Sequence, residues 1–239
     1  MSAARTVTIS TFIDQINYEL RNTTEAEFIN AEMLVHINRM CEMIHYILVD
    51  MNSELVLSSG STVSTVAGTE AYDLSTDFAA DISDLWSIYR LEGDNYRQGH
   101  CAIYLTDSSS TIYEPIEQTE YSARYDYVIN GTSARSRPDS FYIDGDNIGL
   151  LPIADAVYTV TIDKYFPNFS PAAAVTENMP YRNIFNNAIS DGVKFLAKNR
   201  NNDSVAMETE LMKLFMDAAK RIVKFRSRRT AQLRRRIRA

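Results

Sequence analysis

The sequence predicts an α+β fold: a helical bundle built from the N-terminal and C-terminal helices, an inserted antiparallel β domain, and an extended basic C-terminal tail. Three observations predict it. Apolar residues recur at helical spacing near both ends. The middle is rich in Ser, Thr, Val and aromatic residues, punctuated by Gly and turn-forming Asp and Asn. The last twenty residues, KRIVKFRSRRTAQLRRRIRA, hold ten Lys/Arg and no acid. The division expected is 1–53 for the N-terminal helices, 54–170 for the β domain, 171–225 for a C-terminal helix hairpin and 226–239 for the tail.

The first helix opens at Ser10 or Thr11, both able to cap it, and Phe12, Ile16 and Leu20 fall on one face. A second starts near Thr23-Thr24-Glu25, where a threonine cap leads into acids that suit the helix dipole, and continues to about Met51. Its apolar positions Ile29, Met33, Ile37, Met40, Ile44, Ile47 and Met51 form a heptad-like stripe, with Glu32, Arg39, Glu42 and Asp50 opposite. Such a helix is about 40 Å long and needs a long partner.

After Ser53 the texture changes. LVLSSGSTVSTVAGTEAYDL reads as short strands and turns around Gly60 and Gly68. Trp86–Leu91 and Cys101–Leu105 are further strands by their β-branched and aromatic content, joined by the polar turn EGDNYRQG. Phe141–Pro152 is a hairpin, its apolar arms flanking Asp144-Gly145-Asp146-Asn147, residues that tolerate the left-handed conformations of tight turns. Val157–Phe166 alternates apolar and polar and is expected as a strand of the same sheet.

Pro167 and Pro171 close this region. Pro180 suits a first helical turn, and the helix is expected to run to about Asn199 with Gly192 in its middle, which costs ~1 kcal/mol against alanine unless something packs close. The polar run Asn199–Asp203 is a short connection to a last helix, in which Leu211, Phe215, Ala218, Ile222 and Phe225 carry a stripe into the tail.

Candidate chemistry is sparse. His36, Cys41 and His45 lie within ten residues, but on a helix His36 and His45 point in opposite directions, and Cys41 with His45 lacks a third ligand. Asp144, Asp146, Gly149 and Asp155 match positions 1, 3, 6 and 12 of a calcium loop; Ile148 stands where an oxygen ligand belongs, so a hairpin turn is the better account. There is no phosphate-binding glycine loop and no nucleophile motif, and His100 beside Cys101 has no orienting partner in sequence. No metal, cofactor or catalytic residue is assigned, and the chain is read as a non-enzyme. Cys41 and Cys101 are too few for a disulfide framework, and no apolar run suggests a signal peptide or a membrane span, so assembly in the cytoplasm is expected.

The charge split is the sharpest signal. Without the tail the chain carries 14 Lys/Arg against 31 Asp/Glu, a net −17, while the tail alone carries +10. Clustered arginine grips phosphate, so a nucleic-acid-binding accessory protein is one reading, though the acidic body repels a duplex. A membrane-surface helix would want a broader apolar face than Leu233 and Ile237 supply. Arginine interleaved with apolar residues is also the composition of protein-docking anchors, which is the preferred reading.

Two stretches carry a resemblance. TVAGTEAYDLSTDF (Thr65–Phe78) is similar to a "v-x-G-x-x-x-Y-x-L-P-x-D-f" pattern, with Ser75 where proline is usual, and SFYIDGDNIGLLPIADAVYTVTIDKYFP (Ser140–Pro167) is similar to a "Y-x-i-x-g-x-x-i-x-l-x-P" hairpin with its return strand. With helices before them and a two-helix segment and tail after, the chain resembles the head-to-tail adaptor (connector, or head-completion) proteins of tailed bacteriophages, with a short-tailed phage the preferred setting. The resemblance implies a virion protein in the neck, a homo-oligomeric ring of about twelve copies between the portal protein and the first tail or nozzle component. Genomic DNA would pass non-specifically through its channel during ejection. C-terminal segments would clasp the portal and the β insertion would face the tail. The residues expected at the portal are Phe225, Arg226, Arg228, Arg229, Leu233, Arg234, Arg235, Arg236 and Arg238.

Overall fold

The computed structural model describes residues 7–20, 29–91, 100–129, 132–181 and 185–198, with Lys213, Asp217 and Arg221. In chain order these form α1 (Ile9–Glu19), α2 (Asn30–Asp50), β1 (Ser58–Ser59), β2 (Thr62–Ser64), β3 (Ala71–Asp73), β4 (Leu85–Ile88), β5 (Ile103–Thr106), β6 (Glu117–Gln118), β7 (Val128–Ile129), β8 (Thr132–Ser133), β9 (Arg135–Ser136), β10 (Ser140–Asp144), β11 (Asn147–Leu151), β12 (Ile153–Ala154), β13 (Thr159–Ile162), β14 (Lys164–Pro167) and α3 (Asn186–Lys198). The fold is α+β. The chain divides into two compact units, one from residues 54–168 and one from residues 1–53 and 169–239.

In the helical unit, α1 is capped two or three residues earlier than its sequence suggests. Thr8, not Ser10 or Thr11, is the cap, and its hydroxyl accepts the Thr11 N–H. Ile9, Phe12, Ile13 and Ile16 are buried. α2 contacts both α1 and α3. It is 21 residues long, about 30 Å, and Ile29 precedes it without a side-chain cap; the threonine cap expected at residues 23–25 lies outside the described residues. The buried face is Met33, Ile37, Met40, Cys41, Ile44, His45 and Leu48. Ile29 is exposed, and Ile47 and Met51 are only partly buried. The expected stripe assumed a heptad; a straight helix drifts by roughly 20° per heptad, and burial passes from position 47 to 48.

A strap of irregular chain fastens these helices. Ile9 and Ser10 donate their N–H groups to Glu177 and Val175, and Met179 donates to Val7. Asn38, on α2, grips Ala172 with both ends of its amide: Nδ2 donates to the carbonyl at 2.9 Å and Oδ1 accepts the N–H at 3.0 Å. Pro180 is a bend residue before α3 and not in a first helical turn of the described chain. Phe185, just before α3, and Ile189, Val193 and Leu196 along it are buried, and Lys194 pairs with Glu19 of α1. The connection at 199–203 and the last stripe, Leu211 to Phe225, lie outside the described residues. Lys213, Asp217 and Arg221 are helical and exposed.

Among its described residues the β unit holds five small sheets, ordered β1-β14-β4, β3-β11-β10-β6, β12-β9, β2-β13-β5 and β7-β8. Pairing is antiparallel except for β6–β10 and β9–β12. Phe141, Ile148, Leu150, Ile103, Leu105, Val160, Ile162, Leu74 and Ile88 share one core. The expected hairpin is present as β10–β11, with Gly145 at φ +57° opening its two-residue turn. Leu55 and Val56, read as strand, lie in a short 3-10 turn, Glu54–Val56.

Val157–Phe166 is not one strand of the hairpin's sheet. It splits at Asp163 into β13 and β14, which join two other sheets. Gly60 crosses there: its N–H donates to the Asp163 carbonyl, and a Cβ on Gly60 would stand 1.9 Å from the Ile162 oxygen. The contact admits only glycine and breaks the strand where it passes.

The motif around Tyr72 proves to be fold-shaping. Gly68 sits at φ +88°, Tyr72 Oη accepts the Val66 N–H, and Leu74 and Phe78 enter the core. Asp77 accepts the Asp73 N–H, while Asp73 accepts from Ser75 and Thr76. The serine that replaces proline thus contributes an N–H that proline lacks.

Candidate interaction surfaces

The nine residues expected at the portal, Phe225, Arg226, Arg228, Arg229, Leu233, Arg234, Arg235, Arg236 and Arg238, all lie outside the described residues. The surfaces that can be built from the fold are on the β unit. Residues 54–168 contain six Lys/Arg and eighteen Asp/Glu, a net −12, so most of the body's negative charge is concentrated there.

One end of a sheet collects exposed aliphatic side chains. Ser64, Thr159 and Thr106 are register partners across β2, β13 and β5, and Thr106 bridges Ile112. Just beyond this row come Val66, Val157 and Ile112, which are 61%, 62% and 68% exposed. Buried Thr65 ties the first two together, donating its N–H to Tyr158 and its hydroxyl to Ala156. Tyr113 meets Tyr158 edge to face, and Arg137 lies over the Tyr113 ring at 4.4 Å. The rim is polar. Asp107 accepts from the Ser109 hydroxyl, the Thr111 N–H and the Tyr113 hydroxyl, which together hold its carboxyl down at about 2.

A second surface is a 3-10 segment, Tyr121–Tyr127, which the sequence reading passed over. Arg124 lies over the Tyr121 ring at 4.1 Å and the Tyr125 ring at 4.9 Å. Tyr121 packs against Tyr142, whose hydroxyl donates to Glu70. Burial and that carboxylate push the Tyr142 phenol well up. Tyr142 lies across Gly149, where a Cβ would meet the ring at 2.0 Å. The signal available in sequence was the density of Tyr and Arg in YSARYDYVINGTSARSR, a composition favoured at interfaces.

Between these surfaces runs a groove of about 830 Å³, lined by residues 112–119 on one side and 137–140 on the other, with His100 and Tyr127. The buried His100 places Nε2 3.7 Å from the Glu117 carboxylate, and its Nδ1 meets no hydrogen-bond partner among the described residues. Tyr127 lies within hydrogen-bond reach of Asp139 and Ser140.

The remaining candidates are structural. His45 Nδ1 is 2.9 Å from the Tyr181 hydroxyl, and His36 lies 4.0 Å from Glu32. Burial pushes the Cys41 thiol up to about 12 and the Cys101 thiol up to about 11, which leaves them poor nucleophiles and ligands at neutral pH. Asp144 precedes the β10–β11 turn and Asp146 lies in it, and Asp155 accepts from the Tyr158 hydroxyl. Among the described residues no three His, Cys, Asp or Glu converge as metal ligands, and no helix is long and apolar enough to cross a membrane.

A family model described as SU10 adaptor protein matches residues 7–238. No curated protein matches the chain.

Proposed function

The chain belongs to the SU10 adaptor protein family, a family of structural bacteriophage adaptors, and from that premise we propose that it forms a ring that joins the portal to the tail of a short-tailed phage. The match over residues 7–238 carries this reading, because it spans helices, β unit and C-terminal segment together. About twelve copies close the ring through a repeated side-by-side contact. The N-terminal helices and the C-terminal segment make one bundle, completed by the stripe Leu211–Phe225. The β unit faces the first tail or nozzle protein. Its net −12 suits a channel wall past which DNA slides without sticking, since like charge keeps the duplex away from the surface.

The basic tail is the handle on the portal. Phe225 and Leu233 are its apolar anchors, and Arg226, Arg228, Arg229, Arg234, Arg235, Arg236 and Arg238 make the ionic contacts. Deleting Thr230–Ala239 should leave a folded protein that no longer co-purifies with portal rings; retained binding would refute this role for the tail. The ten positive residues at the C-terminus also favour a second reading, a nucleic-acid-binding accessory protein. That reading expects duplex affinity that falls steeply between low and physiological salt and vanishes with the same deletion, which a gel-shift assay measures.

A further inference from the structure

The segment Ile112–Ile116 acts as a further strand beside β5, and no described residue pairs with its outer edge. Tyr113 and Ile116 donate inward to Leu105 and Ile103, and the Thr111 carbonyl accepts from Asp107. This pattern turns the N–H and C=O of Ile112 away from β5. The N–H groups of Ile112 and Glu114 meet no acceptor among the described residues. An unpaired edge of this kind is a template for another extended chain.

The edge borders the groove, whose walls fix what it can hold. Glu114, Glu117 and Asp139 supply carboxylates, and among the described residues lining it the one guanidinium, Arg137, is engaged on the Tyr113 ring. His100 is a second, independent sign: a wall residue only 6% exposed whose Nδ1 meets no partner among the described residues. Ile112 and Tyr127 offer apolar contacts for alternate side chains of a strand.

We propose that this groove receives an extended basic segment of the tail-side partner protein, which adds to Ile112–Glu114 as a strand and places its Lys or Arg side chains on Glu114, Glu117 and Asp139. The net −12 of the unit disfavours an acidic segment or a nucleic acid at the same place. The proposal rests on the adaptor reading, in which the β unit meets another virion protein.

The test uses the full chain and a defined probe: a peptide with the sequence of residues 226–239, RSRRTAQLRRRIRA, as a basic and apolar strand, and the same peptide with glutamate for every arginine. Hydrogen exchange is followed at the Ile112 and Glu114 amides, and affinity by fluorescence anisotropy. The basic peptide should slow exchange at both amides by about tenfold or more, and the acidic one should not bind. Replacing the exposed pair, Glu114→Lys with Glu117→Lys, should weaken the basic peptide by about tenfold or more while the circular dichroism spectrum is kept. Absent binding, unchanged exchange at the two amides, or equal binding of the acidic peptide each overturns the proposal. Portal-ring stacking is scored on the same preparation: intact stacking without peptide binding removes this inference alone, and loss of stacking in the unmodified chain removes the adaptor reading.

Discussion

At Asn38 a single side chain holds a strap to a helix, and it makes a clean test of local energetics. Asn38→Ala leaves the Ala172 N–H and C=O unpaired in a partly buried setting and should cost about 1–2 kcal/mol in urea unfolding, with Asn38→Asp, which keeps the acceptor, in between. Gly60 and Gly149, where an added Cβ would come within 3.0 Å of another atom, should differ in kind. Gly60→Ala drives a Cβ into backbone and should cost about 3 kcal/mol or more. Gly149→Ala meets only the Tyr142 ring, so its cost should shrink in a Tyr142→Leu background, a coupling that a double-mutant cycle reads directly. Residue-scale sequence reading did well where one residue type has one use. Gly145, in the run expected as a tight turn, does supply left-handed backbone. Gly60 could only be read as punctuation, because the strand that crosses it comes a hundred residues later.

Elements were legible where their period was strong. The long apolar stripe of α2 gave the helix but put its last contacts at 47 and 51, because a heptad and a 3.6-residue turn diverge along its length. The split between β13 and β14 was written in the sequence: Tyr158, Val160 and Ile162 alternate, Lys164 breaks the phase, and Tyr165 with Phe166 restarts it. The Tyr121–Tyr127 segment had no periodic signal to find. The sheets also predict a response to alkali. Burial first, and then the hydrogen bond to Asp84, push the Tyr165 phenol up to about 12. A folded-state value above the unfolded one means that the folded chain keeps a proton the unfolded chain has lost. This contribution is therefore complete below about pH 10 and disappears as pH rises toward 12. The urea midpoint should fall more steeply over that window in the unmodified protein than in Tyr165→Phe.

On the scale of the whole molecule, the charge split is the property most open to sequence and least open to geometry. Counting alone puts −12 on residues 54–168 and +10 on the last twenty, yet of those twenty only Arg221 lies among the described residues. Partner choice was not readable from periodicity; it came from the order of elements and the two β motifs, whose roles are now structural, in Gly68, Tyr72, Leu74 and the β10–β11 turn. The central claim is that these parts exist to join a portal to a tail. Electron microscopy of the purified protein, alone and mixed with portal rings, tests it most directly. The account predicts a ring of density seated coaxially on each portal and absent after deletion of Thr230–Ala239. Portals that stay bare beside well-folded protein would contradict it.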